Sequence, residues 1–169
     1  MSNFMSENIL VELFKHNNWS NLQIIQVCST LTDEQLDVEP QTITKGSIRS
    51  TLQHLINSQE DYLSQLLGID ARFNWERPPG FDELMKEANS TGEGLVALAK
   101  NESSKSLTAR FQKDGYSIEP WVVMVQAINH AAEHREQIKS MLSSLGITPP
   151  RIDGWAYGKI TNALKQITN

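Results

Sequence analysis

One cysteine, Cys28, is all the thiol the chain carries, and a lone cysteine excludes an intrachain disulfide framework. Long hydrophobic runs are also missing. The longest, "WVVMV" at residues 121–125, falls far short of the roughly 20 apolar residues that span a bilayer. Basic charge is in deficit: 15 Lys and Arg stand against 20 Asp and Glu, a formal net charge of −5, with no basic cluster to meet a nucleic-acid backbone. The opening "MSNFMSENILVELF" carries acids where a secretory leader carries positive charge. These absences lead to the expectation of a cytoplasmic protein with no nucleic-acid and no membrane partner. What remains, 39% hydrophobic and 21% charged over 169 residues, is the composition of a globular chain, expected to form one domain over residues 1–169.

Apolar residues recur at threes and fours. From Ser6 to about Leu31 they are Ile9, Leu10, Leu13, Phe14, Leu22, Ile25 and Val27, interrupted by the polar "HNNWSN". "LTDEQL" offers a capping box from Thr32 to Gln35, and Pro40 with "TKGS" reads as a connector. Ser47 caps a second helix with Ile48, Leu52, Leu55, Ile56, Tyr62, Leu63 and Leu66 on one face, ended by Gly68. "RPPG" at 77–80 breaks the chain before a third pattern of Phe81, Leu84, Ala88, Leu95 and Leu98. The glycines of "STGEG" make that one helix with a weak point or two short ones, since each costs about 1 kcal/mol relative to alanine. "QKDGYSIEP" suggests a small hairpin. A fourth helix runs from Pro120 to Gly146, and a partly helical segment closes the chain. The expected fold is all-α, a four-helix bundle with a short C-terminal segment.

The fourth helix holds the chemistry. Ala127, Ala131, Ile138, Leu142 and Leu145 form its apolar stripe, with His134 inside the stripe and His130 at its edge. Histidines at i and i+4 point the same way, so their nitrogens can converge on one ion; a hydrogen-bonded core histidine is the plainer reading of either alone. A mononuclear site needs a third ligand. His54 lies far round from its helix's apolar stripe and reads as a boundary residue, while His16 in "FKHNNW" reads as a packing or hydrogen-bonding residue; spacing does not choose between them.

"TLQHLINSQEDYL", "NHAAEHREQIKSMLSSLGITPPRIDGWAYG" and "HNNWSN" together resemble the DinB/YfiT-like superfamily of metal-dependent proteins. The likeness covers nearly the whole chain and is weakest over residues 72–118. The family's usual His-Arg-Gly-Gln has Glu136 where the glycine stands. The resemblance implies an up-down-down-up bundle, often a homodimer, with a metal triad at His54, His130 and His134. The name is shared with an unrelated DNA-repair polymerase, for whose subdomains an acidic chain of this length has no room.

Three imidazoles leave at least one coordination position open on zinc, nickel or iron, the layout of a catalytic site. By resemblance the expected activity is that of a metal-dependent enzyme acting on a small-molecule substrate, with thiol-dependent S-transfer from a low-molecular-weight thiol as the named chemistry. The alternative is a non-catalytic bundle that binds a metal or ligand, or dimerises. "HAAEH" also fits the inverted zinc-protease signature with Glu133 as base, but that reading needs an acidic ligand downstream, and beyond Glu136 the only acid is Asp153. Asn129, Glu133, Asn17 and Asn18 are candidates to orient the rings. Cys28 reads as a buried apolar residue. Trp19, Trp121, Trp155 and Tyr157 read as bundle-packing or helix-end anchoring residues rather than as pocket lining, and Asp153 and Tyr157 as structural. Arg135 reads as a contact for a helix end rather than for an anionic substrate.

Overall fold

Capping side chains, a glycine and a proline mark several of the helix ends. A computed structural model describes residues 8–40, 46–101 and 105–167. In chain order these form α1 (Ile9–Cys28), α2 (Asp33–Asp37), α3 (Ile48–Leu67), α4 (Phe81–Lys100), α5 (Lys105–Thr108), β1 (Phe111–Lys113), β2 (Tyr116–Ile118), α6 (Pro120–Ser144) and α7 (Gly154–Ile160). Capping boxes built on Thr32 and Ser47 open α2 and α3, satisfying backbone N–H groups that a first turn leaves unpaired. Gly68 closes α3 in the left-handed conformation, at φ 67°. Pro120 stands in the first turn of α6, and Asp153 caps α7. The expected hairpin is present, turned by Asp114 and Gly115 at φ 52° and 81°, the double positive φ of a type I′ turn. The first helical pattern was drawn from Ser6 and the connector through "TKGS"; Ser6, Thr44 and Lys45 lie outside the described residues.

Two apolar clusters set the direction of the long helices. One joins the C-terminal part of α1 (Ile24, Ile25, Cys28) to the N-terminal parts of α3 (Ile48, Leu52) and α4 (Leu84, Ala88) and the C-terminal part of α6 (Ile138, Leu142). The other joins the opposite ends: Val11 and Phe14 with Leu63, Leu66, Leu95, Val96, Val123 and Met124. Helices α1 and α6 therefore run one way and α3 and α4 the other. Each of α1 and α3 packs against both α4 and α6, so the bundle is up-down-down-up.

Parallel α3 and α4 require a crossover that travels the length of the bundle, and residues 68–80 supply it. Glu60, 1% exposed, accepts from the backbone N–H and the guanidinium of Arg72. One turn back along α3, Asn57 brackets the Trp75 backbone, and Gln53 donates to the same Trp75 carbonyl.

Helix α1 buries its polar stretch, and α4 takes the one-helix alternative. Ile9 and Leu13 are exposed, while Asn17, Asn18, Ser20 and Asn21 are buried. The polar stretch is not a solvated interruption, because it feeds a hydrogen-bonded layer between the two clusters. Asn21 donates to Gln59 at 2.8 Å, and Gln59 donates to the Ala88 carbonyl at 3.1 Å and to Thr91. Helix α4 is continuous through "STGEG". A Cβ at Gly92 would lie 2.2 Å from Asn18 Oδ1, and one at Gly94 would lie 2.6 Å from Leu63 Cδ2. These glycines are the points where α1 and α3 press onto α4.

Candidate metal centre

His54 on α3 and His130 and His134 on α6 meet across the α3–α6 seam. One turn separates the two α6 residues, so both rings leave the same side of the helix. His54 follows Leu52 and precedes the buried Leu55, which puts it at the margin of the α3 core face, next to α6. It is exposed, and the other two are half-buried. The lack of fit to its own helix's stripe therefore has a plain cause: the seam, not the core, receives this ring.

The His130 Nε2 atom stands 3.1 Å from His54 Nε2 and 3.0 Å from His134 Nε2. Atoms held about 2.0–2.1 Å from a common ion stand about 2.9 Å apart at right angles and about 3.4 Å apart at the tetrahedral angle. The observed spacings lie in that range. The ring centroids are 4.3–4.9 Å apart with planes steeply inclined, edge to face rather than stacked. His134 Nδ1 lies 2.7 Å from Gln137 Oε1. That amide oxygen can only accept, so Nδ1 carries the proton and His134 Nε2 presents a lone pair to the cluster. The shared point between the three Nε2 atoms thus suits a cation, the donor set a divalent transition metal takes. Among the described residues the group contains three histidines and no carboxylate.

The electrostatics favour the neutral form of His54 and His130. Burial, then the neighbouring His134, holds His54 below its ordinary value. His130 is pushed down to about 4, by burial first and then by His134 and His54, against an upward pull from Glu133. A neutral imidazole is the metal-binding form.

Beside His54 opens a cavity of about 260 Å³, walled on α3 by Asn57, Ser58 and Asp61 and on the crossover by Phe73 and Asn74. Phe73 stacks on Trp75 at 4.3 Å between centroids, and Tyr62 sets its ring edge-on to His130 at 5.7 Å. The pair of buried Glu60 and partly exposed Arg72 pins this wall to α3.

The DinB family model matches residues 1–167. The chain belongs to the DinB family. The crystal structure of a DinB-like protein from Bacillus cereus superposes with a TM-score of 0.65 at 19% identity, covering 83% of this chain and 93% of that one. No curated protein matches the chain. The all-α bundle is thus that of a DinB family member. No helix among the described residues is long and apolar enough to cross a membrane.

The residues nominated to orient the rings act elsewhere. Asn17 accepts from Arg135 at 2.7 Å, Asn18 donates to Asn89 and Glu93 on α4, and Asn129 donates to Glu133. Gln137 takes that role for His134 instead. Its signal was present in the sequence as a polar residue three positions after a candidate ligand, on the same helical face. His16 behaves as read, its Nε2–H donating to the Ile152 carbonyl at 2.8 Å. Cys28 is fully buried, which pushes its thiol up to about 12. Of the tryptophans, Trp121 is 59% exposed and donates to Glu119 at the start of α6, a helix-end contact, and Trp155 is 70% exposed. Trp19 and Tyr157 pack against each other at 5.3 Å. Arg135 contacts no helix end. It is 5% exposed and donates from Nη1 to Asn17 and Asn21 at 2.7 and 2.6 Å.

Proposed function

We propose that this DinB family protein binds a divalent metal ion, zinc, nickel or iron, through His54, His130 and His134, and acts as a metal-dependent enzyme on a small molecule seated beside it. The observation that carries the reading is the convergence of three ring nitrogens, with His130 Nε2 3.1 Å from His54 Nε2 and 3.0 Å from His134 Nε2, all within 4.8 Å of one another, and the His134 lone pair turned inward by Gln137. When bound, such an ion supplies Lewis acidity at its open positions, lowering the pKa of a thiol or water there. The chain's own residues do the rest. Asn57 and Ser58 offer hydrogen-bonding groups to a substrate, Phe73 an apolar face, and the seam between α3 and α6 shields one side of the ion from bulk water. Transfer of a low-molecular-weight thiol to an electrophile suits a site of this kind.

The experiment is elemental analysis of the untagged protein beside His54→Ala and His130→Ala. Near-stoichiometric metal in the wild type, absent from both variants, is expected, followed by metal-dependent thiol consumption across a panel of electrophiles. A folded wild type that stays metal-free after incubation with those ions would sink the reading. One observation favours a second reading, a bundle that binds metal without turnover. Asp61, the carboxylate of the cavity wall, is exposed and held at Oδ2 by Gln65 at 2.6 Å and Lys113 at 3.5 Å, the setting of a surface ion pair. Metal binding with no turnover over the whole panel would select it.

A further inference from the structure

Arg135 is a buried cation with no carboxylate on it. Its Nη1 group spends both hydrogens on amide oxygens, those of Asn17 and Asn21, which carry no charge. Its acidic neighbour in sequence, Glu136, is drawn to Lys139 at 2.7 Å. Taking a guanidinium out of water without a countercharge is expensive.

The unused part of the group has a definite shape. No described residue accepts from Nε or Nη2. These two nitrogens form the side-on edge of a guanidinium, where parallel N–H bonds take both oxygens of one oxyanion. Asn18 Oδ1 is the one described side-chain polar atom sealed from solvent without a partner. The Nε/Nη2 edge of Arg135 is therefore not sealed from solvent, and Arg135 lines a pocket of about 420 Å³ between α1, α6 and the segment leading to α7. Lys139 and Arg151 stand on the same pocket, as do Glu136 and Asp153. Both acids are already engaged, Glu136 by Lys139 at 2.7 Å and Asp153 by Arg151 at 3.5 Å and by the N-terminus of α7, where it accepts from the Ala156 N–H, so Arg135 is the cation of this pocket without a carboxylate partner among the described residues. His16 spends its Nε2–H on the Ile152 carbonyl and so builds the wall.

We propose that this pocket binds a small oxyanion, a carboxylate or a phosphate group, bidentate on the Nε/Nη2 edge of Arg135 with Lys139 and Arg151 at the rim. The site is separate from the histidine cluster, and its occupancy does not depend on a metal there. The fold supplies the buried fork, because Asn17 and Asn21 hold the guanidinium by its far nitrogen and leave the forked edge outward.

The test is titration of the full chain with inorganic phosphate and, separately, with succinate, at constant ionic strength in an uncharged buffer. Binding is followed by calorimetry and by the ¹H–¹⁵N resonance of the Arg135 Nε–H. Saturable binding of at least one probe that moves this resonance is expected, and the stronger of the two identifies the source as phosphate or carboxylate. The double variant Lys139→Gln/Arg151→Gln is expected to bind about tenfold more weakly while keeping its fold. Arg135→Gln is expected to abolish binding, and if it fails to fold, the rim variant decides. His130→Ala is expected to bind as the wild type does. Heat no greater than that of matched chloride would overturn the proposal. So would binding that leaves the Arg135 resonance still, or that is lost in His130→Ala and kept in the rim variant, which would place the anion at the histidines.

Discussion

His134 Nδ1 donates to Gln137 Oε1 at 2.7 Å, one turn along the same helix, and that bond decides which ring nitrogen keeps a lone pair. With the proton held on Nδ1, the Nε2 atom 3.0 Å from His130 Nε2 is left as a donor to a metal. Gln137→Ala removes the constraint without touching a ligand. The expected result is a loss of about 10–100-fold in metal affinity, with helicity unchanged, read by competition against a chromophoric chelator.

The acid sensitivity of the metal-free protein follows from His130. Its pKa is about 4 in the folded chain, against about 6.5 for an unperturbed histidine. Between those values the unfolded chain binds more protons, so stability rises with pH across the window. The contribution is complete above about 6.5 and is lost as pH falls toward 4. His54, shifted the same way, adds to the slope. Urea midpoints of chelated protein measured from pH 4 to pH 7 should show this slope, flattened in His130→Gln. An unchanged slope in that variant would place the titration elsewhere.

Arg72 holds the crossover against α3 through Glu60, whose carboxylate is 1% exposed. Arg72→Ala leaves that charge buried without its ion-pair partner. The expected cost is about 3 kcal/mol, the lower end for breaking a buried pair because Arg72 itself is partly solvated. Because the same strand walls the cavity beside His54, exchange of amide hydrogens over residues 71–75 should accelerate in step. Loss of stability without faster exchange there would dissociate the pair from the wall.

Glycine to alanine inside a helix ordinarily stabilises by about 1 kcal/mol. At Gly92 the sign reverses, because the new Cβ would stand 2.2 Å from Asn18 Oδ1, an acceptor already buried without a donor. Gly92→Ala is expected to cost about 1–3 kcal/mol by chemical denaturation. Much of that should return in the double variant with Asn18→Ala, a coupling that independent sites would not show.

Cys28 is fully buried, and its thiol is pushed up to about 12 by that burial. A thiol-specific reagent at pH 8 is expected to leave the native protein unmodified and to label it stoichiometrically in denaturant. Fast native labelling would contradict the burial of this helix end.

Local chemistry is legible locally. The capping boxes at Thr32 and Ser47, the stop at Gly68, the Asp114–Gly115 turn and the start at Pro120 each depend on residues within a few positions of one another, so the sequence states them directly. The pairing of His130 with His134 has the same origin, since i and i+4 on a helix share a side. Other features join residues far apart in the chain, and no periodicity reports them. His54 lies 76 residues before His130, and the wheel of its own helix placed it off the apolar stripe; a resemblance singled it out, not its spacing. Likewise the "HNNWSN" asparagines are only a polar interruption of a helical pattern until α6 lays Arg135 across α1, and that arginine looks like a helix-end contact until its partners prove to be amides 118 and 114 residues away. The sequence by itself determined the helices, their ends and two converging imidazoles, because hydrogen bonds within one turn set those. The register between helices was decided only by tertiary packing, since burying four apolar stripes together aligns polar side chains whose partners no single helix contains.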